Sequence, residues 1–455
     1  MLLYCCLLFV VVHIVMSANI LCVFPTPAHS HQSVFNVYTD ALARDGHNVT
    51  VITPTPRNVH YLTEIVCRTT FDNLIQRNTT NKKRGIIADE STVTYKNYTP
   101  FIDMIVSQLS GKNVSSMLAN KNNRFDLIVC EAYLSVNLVF GYIYSAPILW
   151  LSSGHGTNNN FDTLNNNTII YDYKSYPNIW RSNFNTTTSG DSEKILQREW
   201  MLLDNYQHKL LQKNFNVSAS MMDLKNRVVF MLINVYRIMD GNRPVGPNIQ
   251  YLGGLHLKSP IDVSTVDDDL HKFIASSIKI VYVSFGSIAD VSLADSDFKI
   301  ELLRIFSSIP YNVLWRNNNV SQVITTRSNT IMTRKWFPQR WILKQNNIKL
   351  FITQCGIQSI DEAIDSGVPI LCIPIAGDQF VNSQRIKSLG LGTTVNAYKL
   401  ETENVDKIII NMVEENKYYT NRLIFIKKII NDEPQNVDIK AVWYTNKILR
   451  YIDNY

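Results

Sequence analysis

The residue types best suited to chemistry gather at two places in the chain. Near the amino end is the loop Pro25-Thr26-Pro27-Ala28-His29-Ser30-His31, and toward the carboxyl end the stretch 336–379 carries Trp336, Gln339, Gln354, Gln358, Ser359, Glu362, Asp378 and Gln379. An imidazole can take up a proton near neutral pH, so a histidine beside a strand end is a candidate general base. His29 and His31 both qualify by position. Glu131 closes another apolar run, and a carboxylate there could bond the far ring nitrogen, fix its tautomer and stabilise the imidazolium. Trp336 beside Gln339 offers an aromatic face and an amide, a pairing that suits a nucleobase. The turn Gln354-Cys355-Gly356 opens a helix at a strand end, and the free N–H groups of such a terminus suit a phosphate. Each residue also has a plainer reading. The histidine could be bonded locally, the carboxylate could face water, Trp336 could pack in a core, and Glu362 could serve the helix dipole.

The elements around these residues alternate strand and helix. Residues 19–24 read as a strand, followed by the loop 25–31, a helix to about 45 stopped by Gly46, and a strand at 48–53. This βαβ unit predicts a parallel sheet. Runs at 125–130, 146–151 and 228–233 read as further strands, and 155–220 as a polar insertion or lid bordering a pocket. A second series begins at 278–285, continues through 312–315, and reaches a strand at 350–353, a helix at 357–366 stopped by Gly367, and a strand at 368–374. The expected fold class is α/β, with two doubly wound Rossmann-like halves facing a cleft. Ligands of open α/β sheets sit beyond the carboxyl ends of the strands. His31, Glu131, Ser287 and Asp378 all follow or end such strands.

The stretch 336–379 resembles the donor-binding signature of the UDP-glycosyltransferases: W-x-P-Q, a strand ending T-H-x-G, then S-x-x-E, G-V-P and D-Q. The matches are Trp336, Pro338, Gln339, Thr353, Gly356, Ser359, Glu362, Gly367, Val368, Pro369, Asp378 and Gln379, with Gln354 where the family usually has His. That Gln form, with Y-P-N-I-W-R-S-N-F at 176–184 and V-C-E-A-Y at 129–133, is similar to the ecdysteroid UDP-glucosyltransferases of baculoviruses. The resemblance runs from Pro25 to the C-terminal region. It implies the glycosyltransferase-B architecture and selects Ser30-His31 as the general base, with Glu131 in support where relatives outside the viral group have Asp. It implies that Trp336 stacks on uracil while Gln339 bonds the base or ribose. Ser287, Gln354, Gly356, Gln358 and Ser359 would surround the diphosphate, Glu362 would take the ribose hydroxyls, and Asp378 with Gln379 would read the sugar. An amide at 354 brings no positive charge, which shifts leaving-group stabilisation toward the helix N-terminus.

Composition excludes several classes. Lys and Arg number 44 against 38 Asp and Glu, and the resulting net charge of +6 is scattered, which argues against nucleic-acid binding. Residues 1–18 are almost entirely apolar through Val15 and end Met-Ser-Ala, the pattern of a cleaved secretory signal, and no later segment approaches the roughly 18 apolar residues of a membrane span. A secreted protein without a membrane span is expected. Cys22, Cys67, Cys130, Cys355 and Cys372 then remain, an odd set at irregular spacing that reads as neither a disulfide framework nor a zinc site, with Cys22, Cys130 and Cys372 as core thiols. Sequons begin at Asn48, Asn78, Asn97, Asn113, Asn166, Asn185, Asn216 and Asn319, the first of them inside an expected strand. The expected organisation is a signal at 1–18, an acceptor-binding domain at 19–241, a linker at 242–262, a UDP-sugar-binding domain at 263–435, and a helix at 436–455 that can cross back to the first domain.

The reading is an inverting transferase that moves glucose from UDP-glucose to a hydroxyl of a lipophilic acceptor. By resemblance the acceptor is an ecdysteroid, which glucosylation inactivates. No metal-ligand cluster of the D-x-D kind is present in the motif, so no metal or other cofactor is expected. The rivals are a non-catalytic secreted protein that binds steroid or UDP-sugar on the same fold, and a transferase for another small lipophile.

Overall fold

The computed structural model describes residues 17–68, 94–165, 189–286, 296–317 and 322–451. Most of the expected signal, Ser287, the segment 176–184 and the sequons at Asn78, Asn166, Asn185 and Asn319 lie outside the described residues. Two seven-stranded sheets organise the chain. The first comprises β1 (Asn19–Val23), β2 (Asn48–Thr53), β3 (Thr63–Val66), β4 (Leu127–Glu131), β5 (Ile148–Ser152), β6 (Val228–Ile233) and β7 (Ile249–Tyr251), in the order β3-β2-β1-β4-β5-β6-β7. Every pairing is parallel. Near-continuous apolar runs such as Ile-Leu-Trp-Leu suit strands covered on both faces, and β4 and β5 are buried along their whole length. β7 lies inside the Pro- and Gly-rich stretch 242–262 and closes one edge of this sheet.

The second sheet comprises β8 (Ile280–Ser284), β9 (Asn312–Arg316), β10 (Gln322–Thr325), β11 (Thr330–Arg334), β12 (Ile348–Thr353), β13 (Ile370–Cys372) and β14 (Gly392–Thr394), in the order β10-β11-β9-β8-β12-β13-β14. It is parallel except for the edge hairpin β10–β11. The helix Ile357–Ser366 ends at Gly367, whose φ of 72° is the left-handed conformation that a glycine stop supplies. The polar region 155–220 contains the helix Ser189–Phe215, packed against the helix Tyr95–Leu109.

The last helix, Val437–Arg450, leaves the second half and lies on the helix His29–Arg44 of the first. Tyr38 Oη and Thr445 Oγ1 are 2.7 Å apart, and Asn446 bonds His47 Nε2 at 2.8 Å and donates to Asp45 at 2.7 Å. Buried Ala441, Val442 and Ile448 join the apolar cluster beneath the first sheet. Among the described residues no helix is long and apolar enough to cross a membrane.

One expectation fails on the cysteines. Cys22 and Cys130 are buried free thiols, as is Cys67, but Cys372 is bonded to Cys355. The register pairs Thr353 with Cys372, so the turn that leaves β12 folds directly beside the end of β13. Sequence spacing does not display that adjacency.

Candidate active site

Strand register places the first group. Val23 pairs with Cys130, so the chain leaving β1 and Glu131 at the end of β4 emerge side by side. The helix begins at His29, earlier than the loop expectation, because Ala28 already closes its first turn by accepting from the Gln32 N–H. His31 is therefore held in a helical first turn, and its Nδ1 lies 2.6 Å from Glu131 Oε1. Glu131 is 1% exposed, while His31 keeps 21% of its side-chain surface open. The extra methylene of Glu over Asp does not prevent the pairing. The other carboxylate oxygen accepts from Thr26 Oγ1 at 2.5 Å. Gln32 fixes this entry loop by donating to the carbonyls of Phe24 and Thr26 at 2.9 and 2.8 Å, and its own oxygen accepts from Thr53. Tyr133 covers the imidazole, ring to ring at 5.4 Å. His29 points elsewhere: its ring meets Trp336 edge-on at 5.0 Å.

The second group comes from the carboxyl ends of β8, β12 and β13. The register Ser284–Thr353–Cys372 brings Gly286, the turn 354–356 and the loop after β13 to one edge. Gly356 is an N-cap without a side-chain cap, which leaves the helix Ile357–Ser366 an open N-terminus. Gln354 is buried at the mouth of this turn against Gly286, where a Cβ on Gly286 would collide with its amide, and its Oε1 has no partner among the described residues. Gln339 organises the neighbouring cluster: its Nε2 donates to Ser359 Oγ at 3.0 Å and to Glu362 Oε2 at 2.7 Å, and its oxygen accepts from Tyr282 at 3.2 Å. Burial pushes the Glu362 carboxyl up to about 7, against the pull of Gln339 and Arg340. Glu362 falls beyond the first helical turn, which holds no acidic residue, so the dipole reading loses its basis.

Trp336 is 38% exposed, so it is not a core residue. The Arg316 guanidinium lies over its ring at 5.2 Å and also donates to the carbonyls of Gly286 and Lys335. Gln358 directs its amide to the carbonyl of Ser153 at 2.7 Å, tying the donor turn to the first half. Gln379 turns its oxygen back to the amides of Ile375 and Ala376, both at 2.9 Å. Asp378 is half-buried and accepts from Asn382 at 2.9 Å. Burial pushes its carboxyl up, while His155, Asn382 and His31 pull it down.

The architecture thus sets a His–Glu dyad of one half across from an open helix terminus, an exposed tryptophan and a cluster of amides and carboxylates in the other. A family model described as "UDP-glucoronosyl and UDP-glucosyl transferase" matches residues 19–452. The chain belongs to this family. It is a UDP-dependent glycosyltransferase. The "Ecdysteroid UDP-glucosyltransferase" of Lacanobia oleracea granulosis virus is 46% identical over 98% of this chain and 97% of its own length. The protein so named in Spodoptera littoralis nuclear polyhedrosis virus is 37% identical over 95% of this chain and 88% of its own. Among solved structures, the glycotransferase of kitacinnamycin superposes with a TM-score of 0.67 at 16% identity, covering 94% of this chain and 99% of that one. That similarity shows the fold, the glycosyltransferase-B arrangement of two Rossmann-like halves. Among the described residues no group of three His, Cys, Asp or Glu side chains is placed to hold a metal ion.

Sequence reasoning missed Thr26, Arg316, His155 and Asn382. Thr26 sits in the loop already singled out, and Asn382 lies one helical turn beyond Asp378. His155 and Arg316 carry no local signal.

Proposed function

We propose that this glycosyltransferase moves glucose from UDP-glucose to a hydroxyl of an ecdysteroid and so inactivates the hormone. The names of its viral relatives support the donor and the acceptor. The observation that carries the mechanism is the 2.6 Å contact between His31 and the buried Glu131 at the edge facing the donor turn. With Nδ1–H directed at Glu131, His31 Nε2 is the basic nitrogen. It takes the proton of the acceptor hydroxyl as that oxygen attacks C1 of the sugar. The C1–O bond to UDP breaks with its electron pair going to the diphosphate, and the anomeric configuration inverts. Glu131, held from behind by Thr26, balances the imidazolium so formed. UDP leaves against the N–H groups of the 354–359 turn, where the helix terminus supplies positive potential that Gln354 lacks. Trp336 and Gln339 take the nucleobase, Ser287, Gly356, Gln358 and Ser359 the diphosphate, Glu362 the ribose, and Asp378 with Gln379 the glucose. No metal is required in this scheme.

We also propose that the protein passes through the secretory pathway. The largely apolar run at 1–15, read as a signal, and the Cys355–Cys372 bridge both support an oxidising compartment.

The test is incubation of purified protein with UDP-glucose and ecdysone in the presence of a chelator, followed by mass spectrometry of the steroid. A hexose adduct is expected from the wild type and none from His31→Ala, which should still bind UDP-glucose. Near-normal turnover by His31→Ala would overturn the assignment of the base.

A further inference from the structure

A buried polar chain joins the two halves beside the donor loops, and none of its members belongs to the His31 dyad. β5 ends at Ser152, and the hydroxyl of Ser152 donates to the carbonyls of Gly154 at 2.9 Å and His155 at 2.8 Å. Gly154 lets this turn pass close to the second half: a Cβ there would lie 3.3 Å from the side chain of Ile357 and 3.0 Å from the hydroxyl of Tyr133. The turn delivers His155, 1% exposed, to the interface. Its Nε2 is 2.8 Å from Oδ1 of Asn382, a residue with no exposed surface.

Hydrogen-bond accounting fixes which way the Nε2 side of this ring bonds. Asn382 directs its NH₂ to the carbonyl of Cys355 at 3.0 Å and to Asp378 Oδ2 at 2.9 Å, so its oxygen must accept and His155 Nε2 must donate. On the other side, Nδ1 faces Asp240 Oδ1 at 3.6 Å. Asp240 is 8% exposed, receives a bond from Arg243 Nε at 3.0 Å, and accepts from the hydroxyl of Tyr251. Burial alone would raise the Asp240 carboxyl, but Arg243 and His155 outweigh it and hold it at about 2. Burial likewise opposes the charge on His155, and Asp240 outweighs it, so its pKa is raised. Both ring nitrogens thus face acceptors, one of them ionised.

We propose that His155 is a positioning residue of the donor site: the ring of His155, in the first half beside Asp240, donates to Asn382 and orients it, and Asn382 sets the Asp378 carboxylate. The Asp378 carboxylate therefore takes its orientation from a residue bonded to a group of the first half. The proposal rests on the reading that Asp378 contacts the sugar, and it makes sugar recognition a joint property of the two halves.

The test compares binding of UDP-glucose and of UDP to full-length wild type, His155→Ala and His155→Gln by titration calorimetry, with KM and kcat measured for the same set. Leaving a buried hydrogen-bond acceptor such as Asn382 Oδ1 unpaired corresponds to roughly tenfold in affinity. His155→Ala should weaken UDP-glucose by about that factor while UDP, which lacks the sugar, changes far less. His155→Gln places an amide nitrogen where Nε2 stood and should recover most of the loss. Unchanged UDP-glucose affinity in His155→Ala would overturn the proposal. Equal loss of UDP and UDP-glucose without rescue by glutamine would do so as well, since a merely structural role predicts that pattern. Should His155→Ala fail to fold, Asn382→Ala carries the test, because it breaks the link to Asp378 while leaving His155 and Asp240 in place. The same selective loss is expected there, and equal loss of both ligands overturns the proposal. Asp378→Asn, run alongside, separates the two readings. A raised KM for UDP-glucose in Asp378→Asn with none in His155→Ala refutes the role of His155 alone. No change in Asp378→Asn refutes the sugar contact and the proposal with it.

Discussion

Glu131→Gln isolates the electrostatic part of the dyad because it removes one charge and almost no volume. In the native site the carboxylate is 1% exposed, meets His31 Nδ1 at 2.6 Å and accepts from Thr26 at 2.5 Å. Thr26 can still donate to the amide oxygen of a glutamine. The NH₂ then faces His31 Nδ1, which makes that nitrogen an acceptor and moves the ring proton to Nε2, where the base must be free. The variant therefore loses the partner of the imidazolium and favours the unproductive tautomer. A hydrogen bond to a charged group contributes roughly 1.5–3 kcal/mol net. At about 1.36 kcal/mol for each tenfold in rate, kcat should fall roughly 10- to 150-fold, more if the tautomer change dominates. KM for UDP-glucose should stay within about twofold, because among the described residues Glu131 bonds Thr26, His31 and Asn137, all of the first half. The assay is steady-state glucosylation of ecdysone over a range of UDP-glucose concentrations. A kcat loss below about threefold, or a loss expressed wholly in the donor KM, would refute the reasoning.

Two further outcomes follow from the second half. The Glu362 carboxyl is raised to about 7 by burial, so the folded state holds a proton that the unfolded chain releases above the ordinary value of 4.5. Its contribution is fully present below pH 4.5 and is lost as pH rises through 7, so the ligand-free wild type should lose stability relative to Glu362→Gln across that window; parallel melting curves for the two proteins would contradict this. The Cys355–Cys372 bridge closes a sequence separation of 17, for which the chain-entropy account gives about 3 kcal/mol. Cys355→Ser should lower the denaturation midpoint accordingly and weaken UDP-glucose binding through the turn it anchors, and a wild-type midpoint indifferent to reductant would remove the basis for both expectations.

Much of the architecture was local enough to be legible in the chain. The strand 48–53, the strand 228–233 and the helix 357–366 begin and end where apolar runs and glycine stops put them. β4 and β5 were placed within a couple of residues, and the positions of His31, Glu131, Asp378 and the 354–359 turn at strand carboxyl ends followed from the alternation of strand and helix. β3, β7, β10, β11 and β14 were not foreseen, and they are edge or near-edge strands of three to five residues. Such short strands owe their conformation to a neighbour rather than to their own residue preferences.

What the sequence by itself determined is the class of chemistry and the helix terminus that opens at Gly356, because a glycine turn and the residues around it are set within a few positions of one another. Tertiary structure alone decided which histidine has a carboxylate, which cysteines are bonded, and how the halves meet. His31 and Glu131 are 100 residues apart, His155 and Asn382 are 227 apart, and Tyr38 and Thr445 are 407 apart. Contacts of that span are fixed by strand order and register, which depend on how whole sheets bury their faces. His29 and His31 differ by two positions in the chain, yet the helix turns one toward Trp336 and the other toward Glu131.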